Sequence, residues 1–402
     1  MENATIETLY ETSERIVKSA KTDFTRYLYD KINWNNDLIG IKGARGVGKT
    51  TLMLQYIKQN FKNDSSKALY VSLDNLWFAN HTLSQVVDYH YKNGGTHIFI
   101  DEIHKYPNWQ TLLKNIVDEY PGFNVVYTGS SMLKIDYHKG DLSRRQIVYT
   151  LKGLSFREFL EYETQQIFPA LTLEQLLQTH SEVAMQVTEK LKILPLFDKY
   201  LKCGYYPFYK KDTAGFGMRL QGTILSILNE DMPYVEDISQ ATKMKIMRML
   251  MIIAENVPQT PKMSDLYAAL ETSREQGLKM LSLLESADLL TTLSAVTKNF
   301  KYMSKPDKIY LNNPNLMYAL TPNANRGTLR ETFFLNQLSY VGAVNYPKQG
   351  DFLVNQKYLF EVGGHKKTFD QIKDIPDSFL AVDDIETGRR NRIPLYMFGF
   401  LY

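Results

Sequence analysis

The pattern G-x-x-x-x-G-K-[ST], typical of a phosphate-binding loop, is matched by Gly43-Ala44-Arg45-Gly46-Val47-Gly48-Lys49-Thr50. Residues 38–41 before the loop predict a short buried strand, and the apolar periodicity of residues 51–57 after it predicts a helix. A strand, a glycine-rich loop and a helix N-terminus surround an anion with backbone N–H groups, and the helix dipole also favours negative charge. The sequence therefore predicts a phosphate-binding site here.

Two side chains of the loop have expected roles in binding a nucleoside triphosphate. Lys49 is expected to reach the terminal phosphates, and the hydroxyl of Thr50 is expected to hold Mg²⁺. The residues predicted to contact the nucleotide are Gly43, Ala44, Arg45, Gly46, Val47, Gly48, Lys49, Thr50 and Thr51.

A parallel α/β sheet is predicted around the loop, because further strand-like runs alternate with segments of helix length. Asp101 and Glu102 directly follow one of these runs, His97-Ile98-Phe99-Ile100. We expect Asp101 to meet Mg²⁺, directly or through water. Glu102 is expected to act as general base for the attacking water. The other runs are 68–74, 123–127 and 146–151.

Two more candidate catalytic residues follow the later strands. In the stretch 128–131, the hydroxyl of Ser130 senses the γ-phosphate or orients the attacking water, or else the stretch is a turn of small residues. Arg145 acts as an arginine finger, within its own chain or on a neighbouring subunit, or else it is a solvated surface arginine. Together with Lys49 and Glu102, these residues make up the predicted catalytic set.

Composition limits the function only broadly. The 402 residues, 44% hydrophobic and 23% charged, are enough for two or three domains of ordinary globular composition. The net charge of +3 gives no global case for nucleic acid or a membrane as partner. The single cysteine, Cys203, excludes an intramolecular disulfide and a cysteine-based zinc site. With no signal peptide and no apolar run of about 18 residues, we expect a cytoplasmic protein without a membrane span.

The order of these motifs resembles that of prokaryotic AAA-type ATPases of uncharacterised role. The resemblance rests on the loop, on residues 98–104 and 128–131, and on Arg145 before Ser155-Phe156-Arg157-Glu158-Phe159. The family pattern has Gly-Arg where this chain has Arg144-Arg145, so Arg145 matches the arginine of the family. The resemblance implies ATP, rather than GTP, as the nucleotide.

The resemblance extends to residues 200–207, where Cys203 replaces the first glycine of a family turn. It implies an α/β P-loop NTPase sheet, followed by a helical lid and winged-helix region and a small α/β C-terminal domain similar to PD-(D/E)xK nucleases. The predicted domains are a P-loop ATPase domain at 1–153, a helical lid at 154–235, a winged helix at 236–322 and a nuclease-like domain at 323–402.

The winged-helix region is predicted from three helices, near 243–254, 264–267 and from Ser273 onward, and from a two-stranded wing between residues 291 and 310. The third helix offers Arg274 and Lys279 against four acidic residues, which favours packing or protein contact over DNA reading. The wing keeps DNA binding open, because it carries Lys298, Lys301, Lys305 and Lys308.

In the C-terminal domain, Glu331, Asp351 and Glu361 are expected to converge as the carboxylates of the nuclease family do, where they bind Mg²⁺ and activate water. That chemistry needs a lysine two residues after the acid at the position of Glu361, and this chain has Gly363 there. Lys366 and Lys367 could reach back. A degenerate nuclease-like domain used for binding or regulation is therefore the favoured hypothesis. The run 394–402 predicts a buried strand.

Three hypotheses follow for the whole chain. The first is a Mg²⁺-dependent ATPase whose hydrolysis drives or gates a conformational switch of the winged-helix and nuclease-like domains. The second is an ATP-gated regulatory or binding module with negligible turnover, and the third is an ATP-coupled DNA nuclease. The partner is expected to be a protein or client that the sequence does not identify, and oligomerisation is compatible with the role of Arg145 between subunits.

Overall fold

The computed structural model of the protein describes residues 5–132, 142, 144–256, 263–295 and 306–402. The chain divides into two units. The first consists of Met1–Gly153 with Glu230–Asp237, and the second of Leu154–Asn229 with Ile238–Tyr402. The further division of the later residues into lid, winged-helix and nuclease-like domains stays a prediction.

A five-stranded parallel sheet forms the centre of the first unit. Its strands are β1 (Leu38–Gly43), β2 (Ala68–Ser72), β3 (His97–Asp101), β4 (Asn124–Ser130) and β5 (Ile147–Thr150). They lie in the order β2-β3-β4-β1-β5, and each neighbouring pair runs parallel. The carboxyl ends of β1, β3 and β4 therefore meet at one edge of the sheet. This confirms the predicted parallel α/β sheet.

Helices of the first unit complete its hydrophobic core. Helix α2 begins at Lys49, directly after the loop. Ile98 and Ile100 of the third strand share one fully buried cluster with Val86 and Leu113 from the helices. The helices are α1 (Glu7–Ser19), α2 (Lys49–Asn60), α3 (Leu83–Lys92) and α4 (Trp109–Glu119), with 3₁₀ helices at Ser65–Lys67, Leu76–Ala79 and Ile103–Lys105.

The second unit begins with a helical region, as the sequence predicted. Ser155 and Glu158 form a capping box that begins its first helix. The helices are α5 (Phe156–Thr164), α6 (Leu173–Lys190), α7 (Ile193–Lys199) and α8 (Phe216–Ser226), with π-helical turns at Tyr200–Gly204 and Ile227–Asp231 and a 3₁₀ helix at Pro207–Lys211. The short helix α9 (Met232–Val235) lies in the segment that groups with the first unit.

In the described part of the region predicted as a winged helix, three helices precede an antiparallel strand pair, and a fourth helix follows it. The three helices and the strand pair are α10 (Gln240–Asn256), α11 (Met263–Ala269), α12 (Arg274–Ser286), β6 (Leu290–Leu293) and β7 (Lys308–Leu311). Residues 296–305 of the predicted wing, with Lys298, Lys301 and Lys305, lie outside the described residues. The winged-helix assignment itself stays a prediction.

A second five-stranded sheet completes the second unit. It follows α13 (Pro314–Leu320) and α14 (Arg326–Leu338), and its strands are β8 (Val344–Asn345), β9 (Phe352–Val354), β10 (Tyr358–Gly363), β11 (Ser378–Val382) and β12 (Arg392–Pro394). The order is β12-β11-β10-β9-β8. Strands β10, β11 and β12 run parallel, whereas β9 is antiparallel to both of its neighbours.

The predicted strand at residues 394–402 is wrong. Leu395–Phe400 form a 3₁₀ helix, although the expected burial holds, since Met397 and Phe398 are fully buried. A run of apolar and aromatic residues that is buried on every side has no periodicity to distinguish strand from helix. Within the described ranges, no helix is both long and apolar enough to cross a membrane.

Candidate nucleotide-binding site

The predicted phosphate-binding loop connects the end of β1 to the start of α2. Gly48 has a φ of 101°, a left-handed conformation that side chains disfavour, and it precedes the first helical residue. At the other end of the loop, a Cβ added to Gly43 would lie 2.1 Å from the carbonyl oxygen of Leu151. Glycine is therefore required at both positions, for conformation at Gly48 and for close backbone approach at Gly43.

Arg26 braces the loop from behind, a contact that sequence analysis missed. Its buried guanidinium donates to the carbonyl of Val47 in the loop at 2.6 Å, and to the carbonyls of Lys152 and Gly153 at 2.7 and 2.8 Å. One cation thus ties the loop to the chain that follows β5. No sequence pattern indicates this role, because Arg26 binds backbone atoms of residues that are distant in sequence.

The two side chains predicted to bind nucleotide and metal lie at the start of α2. Lys49 is buried, and its Nζ donates to the carbonyls of Gly43 and Ala44 at 2.8 and 3.1 Å. The hydroxyl of Thr50 donates to the Oδ2 atom of Asp101 at 2.8 Å. The structure therefore brings both predicted metal ligands together.

The Asp101 carboxylate receives hydrogen bonds from three hydroxyl groups. Besides Thr50, Tyr70 on β2 donates to Oδ2 at 3.0 Å, and Thr128 on β4 donates to Oδ1. Burial raises the pKa of the Tyr70 hydroxyl, and the charge of Asp101 raises it further, so Tyr70 stays protonated as a donor. Sequence analysis did not identify Tyr70, which lies in an apolar strand without a motif of its own.

Glu102, the predicted general base, has a backbone conformation that is rare for a side-chain-bearing residue. Its φ and ψ are 58° and 46°, in the left-handed region, which costs about 1–2 kcal/mol. Its backbone N–H donates to the Thr128 hydroxyl at 3.1 Å. Strained residues of this kind concentrate at functional sites.

The Glu102 carboxylate lies in an electrostatically mixed environment. Burial raises its pKa, the ammonium group of Lys49 acts in the opposite direction, and Asp101 raises the pKa again. A carboxylate with a raised pKa is a stronger base than an exposed one. The surroundings of Glu102 thus combine burial with the opposing charges of Lys49 and Asp101.

His104 adjoins Glu102, with 3.5 Å between Nδ1 and Oε2. Burial lowers the pKa of His104 to about 4, and the neighbouring lysines add to this shift, so the ring is neutral. The ring packs edge-on against Tyr234 of the segment Glu230–Asp237, with centroids 5.5 Å apart. The ring of His104 thus lies between Glu102 and the segment Glu230–Asp237.

The remaining two predicted catalytic residues differ in their surroundings. Ser130 pairs in register with Gly43, so it lies at the same sheet edge as the loop, and its hydroxyl accepts a hydrogen bond from the Met132 N–H at 3.3 Å. Arg145 forms a bidentate pair with Asp118 of α4, at 2.8 and 3.1 Å. The finger role of Arg145 would require it to leave this carboxylate.

A further arginine lies in the loop itself. Arg45 Nη1 is 3.0 Å from Asp231 Oδ1, and Nη2 is 2.8 Å from Glu230 Oε2. The Asp231 side chain is only 5% exposed. Sequence analysis did not identify Glu230 or Asp231. The feature that could have drawn attention to them is an acidic pair in a region of otherwise apolar helical periodicity. These contacts lie within the first unit.

The predicted nuclease-like carboxylates are paired with lysines. Lys308 Nζ is 3.4 Å from Glu331 and 3.9 Å from Asp351, and Glu361 forms an ion pair with Lys367. Lys308, one of the lysines of the predicted wing, thus contacts Glu331 and Asp351. Across the described residues, no three His, Cys, Asp or Glu side chains are grouped to hold a metal ion. Lys367 therefore reaches back to Glu361, as the sequence analysis allowed.

Comparisons with known proteins match two parts of the chain. A family model described as an AAA domain matches residues 35–160, and one described as a domain of unknown function matches residues 194–327. Two uncharacterized proteins of Methanocaldococcus jannaschii, MJ1637 and MJ1544, are 25% and 23% identical over 374 and 383 residues. These alignments cover 85% and 89% of this chain, and 78% and 81% of the relatives.

Solved structures give weaker matches. PCH-2 of C. elegans has a TM-score of 0.24 at 19% identity, over 43% of this chain and 48% of that chain. A Signal Transduction ATPase with Numerous Domains protein of Pyrococcus horikoshii has a TM-score of 0.25 at 12% identity, over 76% and 43%. This chain spans less than half the length of either, and scores this low support no structural argument. Residues 35–160 thus match the AAA-domain model, and they contain the parallel sheet and the loop of a P-loop NTPase fold.

Proposed function

We propose that the protein binds ATP with Mg²⁺ at the loop between β1 and α2 and hydrolyses it. The observation that carries this proposal is the meeting of Lys49, Thr50, Asp101 and Glu102 at one sheet edge, with Thr50 and Asp101 already 2.8 Å apart. A cation for the phosphates, two oxygen ligands for a metal and a base for water are the parts that phosphoryl transfer to water needs.

The residues present fit Mg²⁺, because a hydroxyl and a carboxylate are hard oxygen ligands of the kind that this ion prefers. When bound by Thr50 and Asp101, Mg²⁺ neutralises charge on the phosphate oxygens. Tyr70 and Thr128 hold the Asp101 carboxylate in place through their hydroxyl groups.

Glu102 would accept the proton of the attacking water. The backbone of Glu102 is held in a left-handed conformation and donates to the Thr128 hydroxyl, and burial raises the pKa of its carboxylate. Ser130 lies beside Gly43 and would orient the water or contact the γ-phosphate. Arg145 would stabilise transition-state charge after release from Asp118, in its own chain or in a neighbouring subunit.

Hydrolysis would drive or gate a switch of the later domains, a winged helix and a degenerate nuclease-like domain. The chain order supports this part of the proposal, since Glu230–Asp237 groups with the ATPase unit while the residues on either side of it group with the second unit. A change at the loop would therefore act on a segment continuous with the second unit. The protein would act in the cytoplasm on a protein partner or client.

The proposal is tested by ATP binding and turnover of wild type, Lys49→Ala and Glu102→Gln. Lys49→Ala is expected to lose binding, whereas Glu102→Gln is expected to bind ATP and to hydrolyse it about 100-fold or more slowly. Lys92→Ala and Glu119→Gln are matched controls on the surface of the same unit and should behave as wild type. If Glu102→Gln turns over as fast as wild type, the assignment of the base is wrong. If wild type binds ATP without turnover, the protein is an ATP-gated binding module.

A further inference from the structure

The loop arginine lies in the same charged cluster as the proposed catalytic groups. Arg45 lies in the same loop as Gly43 and Ala44, whose carbonyls accept hydrogen bonds from Lys49 Nζ. Asp231, the buried partner of Arg45, lies three residues before Tyr234, whose ring packs on His104, and His104 Nδ1 is 3.5 Å from Glu102 Oε2. Arg45, Lys49 and Glu102 therefore border one region, in which the proposed function locates the terminal phosphates.

The partners of Arg45 are held in place by their own surroundings. Asp231 ends a π-helical turn, Ile227–Asp231, and α9 follows directly. Insertions of this kind in helices frequently mark functional positions. Tyr234 of the same segment contacts His104, the neighbour of Glu102. The acidic segment thus contacts the site at two points, the loop arginine and the residue beside the base.

The guanidinium of Arg45, which pairs with two carboxylates, is also suited to bind phosphate. Arginine binds carboxylate and phosphate with the same two-pronged geometry, and the γ-phosphate of ATP carries more charge than either acid. Burial acts to lower the pKa of Arg45, and the Asp231 and Glu230 carboxylates more than compensate, so it stays charged throughout. Two anions that approach the same cation repel each other, so phosphate and the acidic pair compete for Arg45.

We propose that Arg45 binds the γ-phosphate of ATP and that Glu230 and Asp231 are its alternative partners, which the γ-phosphate displaces. This inference rests on the proposed function for the identity of the nucleotide. Arg45 is then the residue that distinguishes ATP from ADP. Asp231 acts through Arg45 as a positioning residue, and the exchange couples the γ-phosphate to the segment Glu230–Asp237.

The test compares the affinities of a non-hydrolysable fluorescent ATP analogue and of the corresponding ADP, both with Mg²⁺. Arg45→Gln is expected to weaken the ATP analogue about tenfold or more and to leave ADP nearly unchanged. Asp231→Asn is expected to tighten the ATP analogue, since one competitor is removed. The double variant should match Arg45→Gln, because Asp231 acts through the arginine. Glu230→Gln, at a half-exposed position, should tighten binding in the same direction if Asp231→Asn folds poorly.

Asp88→Asn, which removes an exposed acid that pairs with Lys92, is the control for general charge loss and should leave both affinities unchanged. The inference is overturned if Asp231→Asn weakens both nucleotides equally, if its effect persists without Arg45, or if Arg45→Gln weakens ADP as much as the ATP analogue. Because these measurements need no turnover, an inactive wild type would contradict the proposed hydrolysis while leaving the exchange at Arg45 to be decided by binding.

Discussion

Thr128 of β4 hydrogen-bonds Asp101 and Glu102 at the end of β3, where we propose the catalytic site, and Thr128→Val tests the importance of these bonds. The Thr128 side chain is fully buried; its hydroxyl donates to Asp101 and accepts from the backbone N–H of Glu102. Valine has nearly the same shape but neither function. A hydrogen bond to a charged group contributes about 1.5–3 kcal/mol, and an unsatisfied buried N–H costs about 1–3 kcal/mol. Since Asp101 keeps its bonds from Thr50 and Tyr70, we expect a loss of about 2–4 kcal/mol.

Tryptophan fluorescence measures this loss selectively. The three tryptophans, Trp34, Trp77 and Trp109, all lie in the first unit, so their signal during urea unfolding follows that unit. ATP turnover should fall about tenfold or more, because the Glu102 backbone loses its anchor. Thr128→Ser keeps the hydroxyl and should retain most of the stability and turnover. The reasoning is refuted if the valine variant unfolds at the same urea concentration as the serine variant and hydrolyses ATP at the wild-type rate.

Three further changes have defined expectations. Gly43→Ala places a Cβ 2.1 Å from the Leu151 carbonyl, so nucleotide affinity in a fluorescence titration should fall about tenfold or more, and unchanged affinity would count against the close approach. Arg26→Met removes the guanidinium that donates to three carbonyls, so the free energy of unfolding, followed by tryptophan fluorescence in urea, should fall by about 2–4 kcal/mol; an unchanged midpoint would contradict the bracing role. Lys308→Met removes the cation beside Glu331, a carboxyl group whose pKa is raised by burial. Ionisation of such a group lowers the free energy of unfolding as the pH rises through its pKa, so the stability lost by the variant, measured by circular dichroism, should be larger at about pH 8 than at about pH 5. A loss of stability that does not depend on pH would refute the pairing.

The sheet and the loop were predictable because their signals are local. The strands that precede the loop and Asp101 are short apolar runs, and each ends at a motif residue. Parallel order follows from strands separated by helix-length segments. The contact between Thr50 and Asp101 agrees with their predicted shared role, since Asp101 ends β3 and Thr50 lies in the first turn of the helix that follows the loop.

The supporting residues were not predictable, because their partners are distant in sequence. Tyr70 is 31 positions from Asp101, and Arg45 is 186 positions from Asp231. Arg26 binds backbone carbonyls, which no side-chain pattern reveals. For Arg145, the sequence left two roles open, an arginine finger and a solvated surface arginine, and the bidentate contact with Asp118 is a partner that no motif encodes.

The sequence by itself determined the P-loop, because a phosphate site built from backbone amides and a helix N-terminus needs glycines and a lysine at fixed spacing. It also determined the parallel sheet and singled out Lys49, Thr50, Asp101 and Glu102 as candidate site residues. Only the tertiary structure decided which groups hold these residues and which acids engage Arg45. Ion pairs and buried hydrogen bonds depend on distances between atoms, and folding alone brings residues from distant parts of the chain within 3 Å of each other.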